Sequence, residues 1–84
     1  MDKLEYELVT LNNGKQYFVL DSLMHEYNIY DLILNVEDES DIKIVIQEIK
    51  NGKTILNDVK DEYLLKTLSS MFKEKIELKQ SNIN

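Results

Sequence analysis

The feature that most constrains this chain is a change of period near Asn57. Before it, apolar residues alternate with polar ones; after it, they recur at three- and four-residue spacing. Residues 4–11 place Leu4, Tyr6 and Leu8 on one side and Glu5 and Glu7 on the other, the period of two that marks a half-buried strand. Asn12-Asn13-Gly14-Lys15 follows, and its Asn-Gly pair predicts a type I′ turn, which requires positive φ at both central residues. Strands are then expected at 16–23, 29–36, 42–49 and 53–56. A polar break lies at 24–28, an acidic turn at Glu37-Asp38-Glu39-Ser40-Asp41, and a second Asn-Gly turn at Asn51-Gly52. Consecutive strands with such short connections make an antiparallel meander.

Past Asn57, the stripe Leu64, Leu65, Leu68, Met71, Phe72 and Ile76 predicts an amphipathic helix over 57–79, with 80–84 frayed. Asn57 or Asp58 is the expected cap. Lys73, Lys75 and Lys79 near the helix end complement its dipole. The expected class is therefore α+β in a single domain of 84 residues: a five-stranded antiparallel meander over 4–56 with one C-terminal helix packed on it.

The strands carry more apolar residues than one helix hides. Tyr17, Phe18, Val19 and Leu20 occupy both faces of the second strand, and Leu32 and Leu34 oppose Ile29 and Ile33 on the third. A helix of about 20 residues is roughly 30 Å long and about 10 Å wide, enough for one sheet face. Either the sheet curls into an open barrel, or a homodimer or another protein partner covers the second face. The sequence leaves both open.

Charge and missing residue types narrow the function. Net charge is −6, and all ten basic residues are Lys. Without Arg there is no planar fork for phosphate or guanine, and an acidic chain lacks the basic patch of a nucleic-acid binder. Direct nucleic-acid binding is not expected. No apolar run approaches the ~18 residues of a membrane span, and nothing reads as a signal peptide; no membrane association and a cytoplasmic location are expected. No cysteine is present, so disulfides and thiolate metal sites are excluded.

The chemistry-bearing residues do not assemble into a catalytic pattern. His25 is the sole histidine; a general base needs an orienting partner and a nucleophile in reach, and no such signature surrounds it. Ser69-Ser70 reads as helix surface. Glu37, Asp38, Glu39 and Asp41 lack calcium-loop spacing. No catalytic centre, metal or cofactor is expected. Charge is unevenly distributed: residues 1–42 hold ten acids and two Lys, residues 43–84 six acids and eight Lys. Glu5, Glu7, Glu37, Asp38, Glu39 and Asp41 are thus the candidate partner-binding residues. Two functions fit: a protein-binding or regulatory module, or an acidic nucleic-acid mimic whose carboxylates occupy a basic site on a nucleic-acid-binding protein.

The stretches 6–21 (YELVTLNNGKQYFVLD), 30–49 (YDLILNVEDESDIKIVIQEI) and 54–72 (TILNDVKDEYLLKTLSSMF) together resemble the YrzB-like family of small acidic bacterial proteins of unknown function. The chain departs from that pattern in being richer in Lys and in having no acidic tail. The resemblance implies the same fold and a cytoplasmic location, and supplies no catalytic residue.

Overall fold

A computed structural model of the chain describes residues 6–81. Five strands and one helix follow in order: β1 (Glu7–Thr10), β2 (Gln16–His25), β3 (Asn28–Asn35), β4 (Asp38–Lys50), β5 (Lys53–Asp58) and α1 (Glu62–Ser81). Every strand pairs antiparallel with its sequence neighbour, in the order β1-β2-β3-β4-β5. The sheet curls into a half-barrel whose edge strands are β1 and β5.

The turns depart from expectation in instructive ways. At Asn13-Gly14 only Gly14 takes positive φ, and its N–H donates to the Leu11 carbonyl at 2.9 Å. This is a three-residue loop with glycine in the left-handed region, not a type I′ turn. Asn13 instead accepts the Lys15 N–H through Oδ1 at 2.8 Å, an Asx bond of the kind that closes tight turns. Asn51 and Gly52 do take φ of 52° and 77°, as the two-residue type I′ turn requires. The polar break at 24–28 is itself mostly strand. Met24 and His25 pair with Ile29 and Asn28, and the turn consists of Glu26 and Tyr27 alone, at φ 51° and 73°. The acidic turn shrinks as well: β3 and β4 are joined by Val36 and Glu37, whose N–H donates to Asn35 Oδ1 at 2.8 Å, and Asp38–Asp41 is an irregular start to β4.

A β-bulge decides which residues face which way. In β2, Val19 pairs with Ile33 but Asp21 pairs with Leu32, so Leu20 is the extra residue. An inserted residue reverses the alternation beyond it. Asp21 therefore turns to the outer face and Ser22 to the inner one. On the outer face, Lys75 of the helix donates to Asp21 Oδ1 at 2.9 Å and also to the Ser22 carbonyl. Lys75, expected to serve the helix dipole, instead ties the helix to the bulge.

The helix starts later than 57 because Asn57 and Asp58 are still paired with Ile46 and Val45 in the sheet. Asp61 takes the capping role. Its Oδ1 accepts the N–H groups of Tyr63 and Leu64 at 2.9 and 3.2 Å, satisfying donors that the first turn leaves open.

Two apolar clusters hold the sheet from its two sides. Tyr30, Ile44, Leu68 and Phe72 form the outer one under the helix, with Leu23, Leu32, Ile46, Val59, Leu64, Leu65 and Met71 around it. Tyr17, Ile33 and Val45, all fully buried, form the inner one with Val9, Leu11, Val19 and Leu56. Curling thus buries the second apolar set within the chain, one of the two outcomes the sequence left open.

Candidate functional site

The acidic residues singled out from the sequence separate into different environments. Glu5 lies outside the described residues. Glu7 pairs with Val19 and so sits on the inner face, at the rim of the open seam. Glu37, Asp38 and Glu39 are exposed at the β3–β4 end. Asp38 is occupied locally: it accepts the Ser40 hydroxyl at 2.7 Å and the Ser40 N–H at 3.0 Å, and those bonds, hydroxyl first, lower its carboxyl below the ordinary value. Asp41 belongs to the inner face. Tyr17 donates its phenolic proton to Asp41 Oδ2 at 2.6 Å and Asn35 its amide at 3.1 Å; the tyrosine and then the asparagine hold the carboxyl below its ordinary value. Lys43 stands 5.3 Å from the centre of the Tyr17 ring and 3.6 Å from Asp58. Burial works most strongly on it, against its charge, but the Asp58 carboxylate, Tyr17 and Asp41 together outweigh that and raise its pKa. Three exposed acids thus share one end, while Glu7, also exposed, and the half-buried Asp41 lie on the inner face.

The outer face carries a feature that the alternation encodes but no single residue announces. Leu8 pairs with Phe18, Phe18 with Leu34, and Leu34 with Ile42. These four apolar residues form one row across four strands. The helix does not cover it: Leu8 and Ile42 are 53% and 54% exposed, and Phe18 and Leu34 are half-buried. Tyr6 packs on Phe18 with ring centres 6.2 Å apart. Beside the row, a crevice of about 380 Å³ is lined by Leu32, Ile44, Phe72 and Ile76, with Lys73 and Glu77 at its polar side. Leu32 and Ile44 are the same-face neighbours of Leu34 and Ile42, so row and crevice form one apolar surface.

The inner face carries a second feature. Asp31 is 3% exposed. Ser22 donates its hydroxyl to Asp31 Oδ1 at 2.6 Å, and Gln47 Nε2 reaches both carboxylate oxygens at 3.1 Å. A cavity of about 540 Å³ lies at the seam between the edge strands, lined by Glu7, Val9 and Leu11 on one side, Thr54 and Leu56 on the other, and Ser22, Asp31 and Gln47 at its floor. Alternation along β3 sets Asp31 opposite Leu32 and Leu34, on the face it shares with Ile29 and Ile33, and says nothing of a cavity there. The signal available was the polar set Ser22, Asp31, Asn35 and Gln47 on strands with too many apolar residues for one helix.

His25 ends β2, with Nε2 3.9 Å from the Glu26 carboxylate. Among the described residues, no three His, Asp or Glu side chains converge as metal ligands, and no helix is long and apolar enough to cross a membrane. The chain matches no protein-family model, no curated protein and no solved structure.

Proposed function

We propose that this chain is a protein-binding module without catalysis, and that the outer apolar surface is where its partner sits. The observation that carries the reading is the uncovered row Leu8–Phe18–Leu34–Ile42. Contiguous apolar surface left in water is costly and is characteristic of interfaces. No acid belongs to the row itself; the acids beside it are Glu77 at the crevice and Glu37, Asp38 and Glu39 just past the Leu34–Ile42 pair. The same lack of Arg and net negative charge that argue against nucleic-acid binding are compatible with this use.

The mimic reading is the weaker one. A phosphate-like row needs carboxylates in one line, whereas Glu7 and Asp41 belong to the inner face and Asp38 is bonded to Ser40. Membership of the YrzB-like family and residence in the cytoplasm remain part of this proposal, on the residues that carry the resemblance.

The pair Leu8→Lys with Ile42→Lys tests the reading. Both side chains are more than half exposed, so the variant should fold with a loss of about 0.5 kcal/mol or less per site. Association should be abolished, whether read as a dimer in sedimentation equilibrium or as a protein retained on the immobilised chain. Association that survives the pair would contradict the proposed face.

A further inference from the structure

The geometry points to a second site, on the opposite face of the sheet: the seam cavity binds an aliphatic amine, whose ammonium group is held by the Asp31 carboxylate. This inference does not rest on the outer apolar surface. A carboxylate removed from water is costly unless charge or hydrogen bonds compensate it. Around Asp31 the compensation is incomplete in kind. Its hydrogen-bond donors are the Ser22 hydroxyl and the Gln47 amide, both neutral. The nearest described lysine along the inner face, Lys43, is engaged with Asp58 and with the face of Tyr17. The site therefore presents a carboxylate, oriented by two side chains, at the floor of a cavity.

The surroundings define the rest of the ligand. A volume of about 540 Å³ lies in the range of small-molecule sites, roughly 300–1,000 Å³. Above the polar floor its lining mixes the aliphatic Val9, Leu11 and Leu56 with Thr10, Asn12 and Thr54. Beyond Asp31 the inner face continues with Ile29, Met24 and Ile49. Ile29 and Met24 are paired with each other, Ile49 lies two residues past Gln47, and all three are exposed. A carboxylate with aliphatic surface on both sides suits an ammonium on a hydrocarbon chain. A phosphate or a carboxylate ligand is excluded by Asp31 and by Glu7 at the rim. The proposal is one of binding and includes no catalytic step.

The test is a titration of the full chain with pentylammonium, followed by backbone and side-chain amide chemical shifts, with 1-pentanol as the neutral probe of equal length. Saturable shifts are expected at Ser22, Asp31, the Gln47 side chain and Leu56, with a dissociation constant on the order of 1 mM for so small a probe. 1-Pentanol should bind at least ~10-fold more weakly, as loss of one charge-assisted bond predicts. Asp31→Asn keeps the side-chain shape and should lose at least ~10-fold in affinity for the amine, while Asp38→Asn at the exposed end should leave it unchanged. Equal shifts with the alcohol, shifts centred on residues 37–41, an amine affinity unchanged in Asp31→Asn, or no saturation would each overturn the inference. Should Asp31→Asn fail to fold, the comparison of amine with alcohol on the unaltered chain decides alone.

Discussion

At the scale of single residues, Phe72 serves packing alone, whereas Tyr17 serves packing and polar order at once. Phe72 is 2% exposed and packs with Tyr30, Ile44 and Leu68. Phe72→Ala removes a large buried ring and leaves a cavity, so a loss of about 3–5 kcal/mol is expected on urea denaturation; a loss near zero would mean that the helix contributes no core. Tyr17 is fully buried, yet its hydroxyl reaches Asp41. Because that bond comes first among those lowering the Asp41 carboxyl, Tyr17→Phe should move it back towards 3.8. A carboxyl with a lowered folded pKa stabilises the fold in full above its unfolded value and ceases to do so as pH falls through the lowered one. The stability gap between the native chain and Tyr17→Phe should therefore be open at neutral pH and narrow below pH 3.8. Carboxyl-carbon titration by NMR checks the shift, and denaturation at both pH values checks the gap.

Elements were far more legible in the sequence than the faces they present. Period-two runs located the strands, and the stripe ending in Phe72 and Ile76 located the helix. Alternation along β3 sets Tyr30, Leu32 and Leu34 on one face and Asp31 and Asn35 on the other, and the paired register agrees. What alternation cannot supply is whether the polar side faces water. Curling turned it inward, and Asp31 and Asn35, at 3% and 7% exposure, became part of the interior. The bulge at Leu20 was equally hidden, since no glycine or other local signal marks it. It decides that Asp21 meets Lys75 and Ser22 meets Asp31. The helix start was misplaced because Asn57, Asp58 and Asp61 are all chemically able to cap, and only the length of β5 selects Asp61.

The β2–β3 turn gives the element scale its own prediction. Glu26 and Tyr27 hold positive φ without being glycine or asparagine, a conformation costing an L-residue roughly 1–2 kcal/mol. Replacing them by Glu26→Asn with Tyr27→Gly supplies the residues that a type I′ turn favours. The double variant should gain about 1–2 kcal/mol in urea denaturation; no gain would mean that the strain is offset elsewhere in the turn. Tyr27 is 98% exposed, so its removal forfeits no packing.

For the whole molecule, the same excess of apolar residues is resolved twice. The inner set is buried by the curl, and the outer set is buried by the helix except along the row from Leu8 to Ile42. Three exposed acids, Glu37, Asp38 and Glu39, stand at the β3–β4 end, just past the Leu34–Ile42 pair at which the apolar row ends. An association through the row should therefore tolerate salt, because apolar burial is not screened, whereas contacts through Glu37, Asp38 and Glu39 should weaken steeply as the screening length falls. The most direct measurement is retention on the immobilised chain from a lysate that also contains free copies of it. Low and high salt should be compared for the native chain, for Leu8→Lys with Ile42→Lys, and for a form with Glu37, Asp38 and Glu39 neutralised. A protein or second copy held at both salt levels, lost with the Lys pair and kept on neutralising the acids, is the expected result. Retention that vanishes at high salt and follows the acids instead of the row would contradict a module that binds through its outer apolar face.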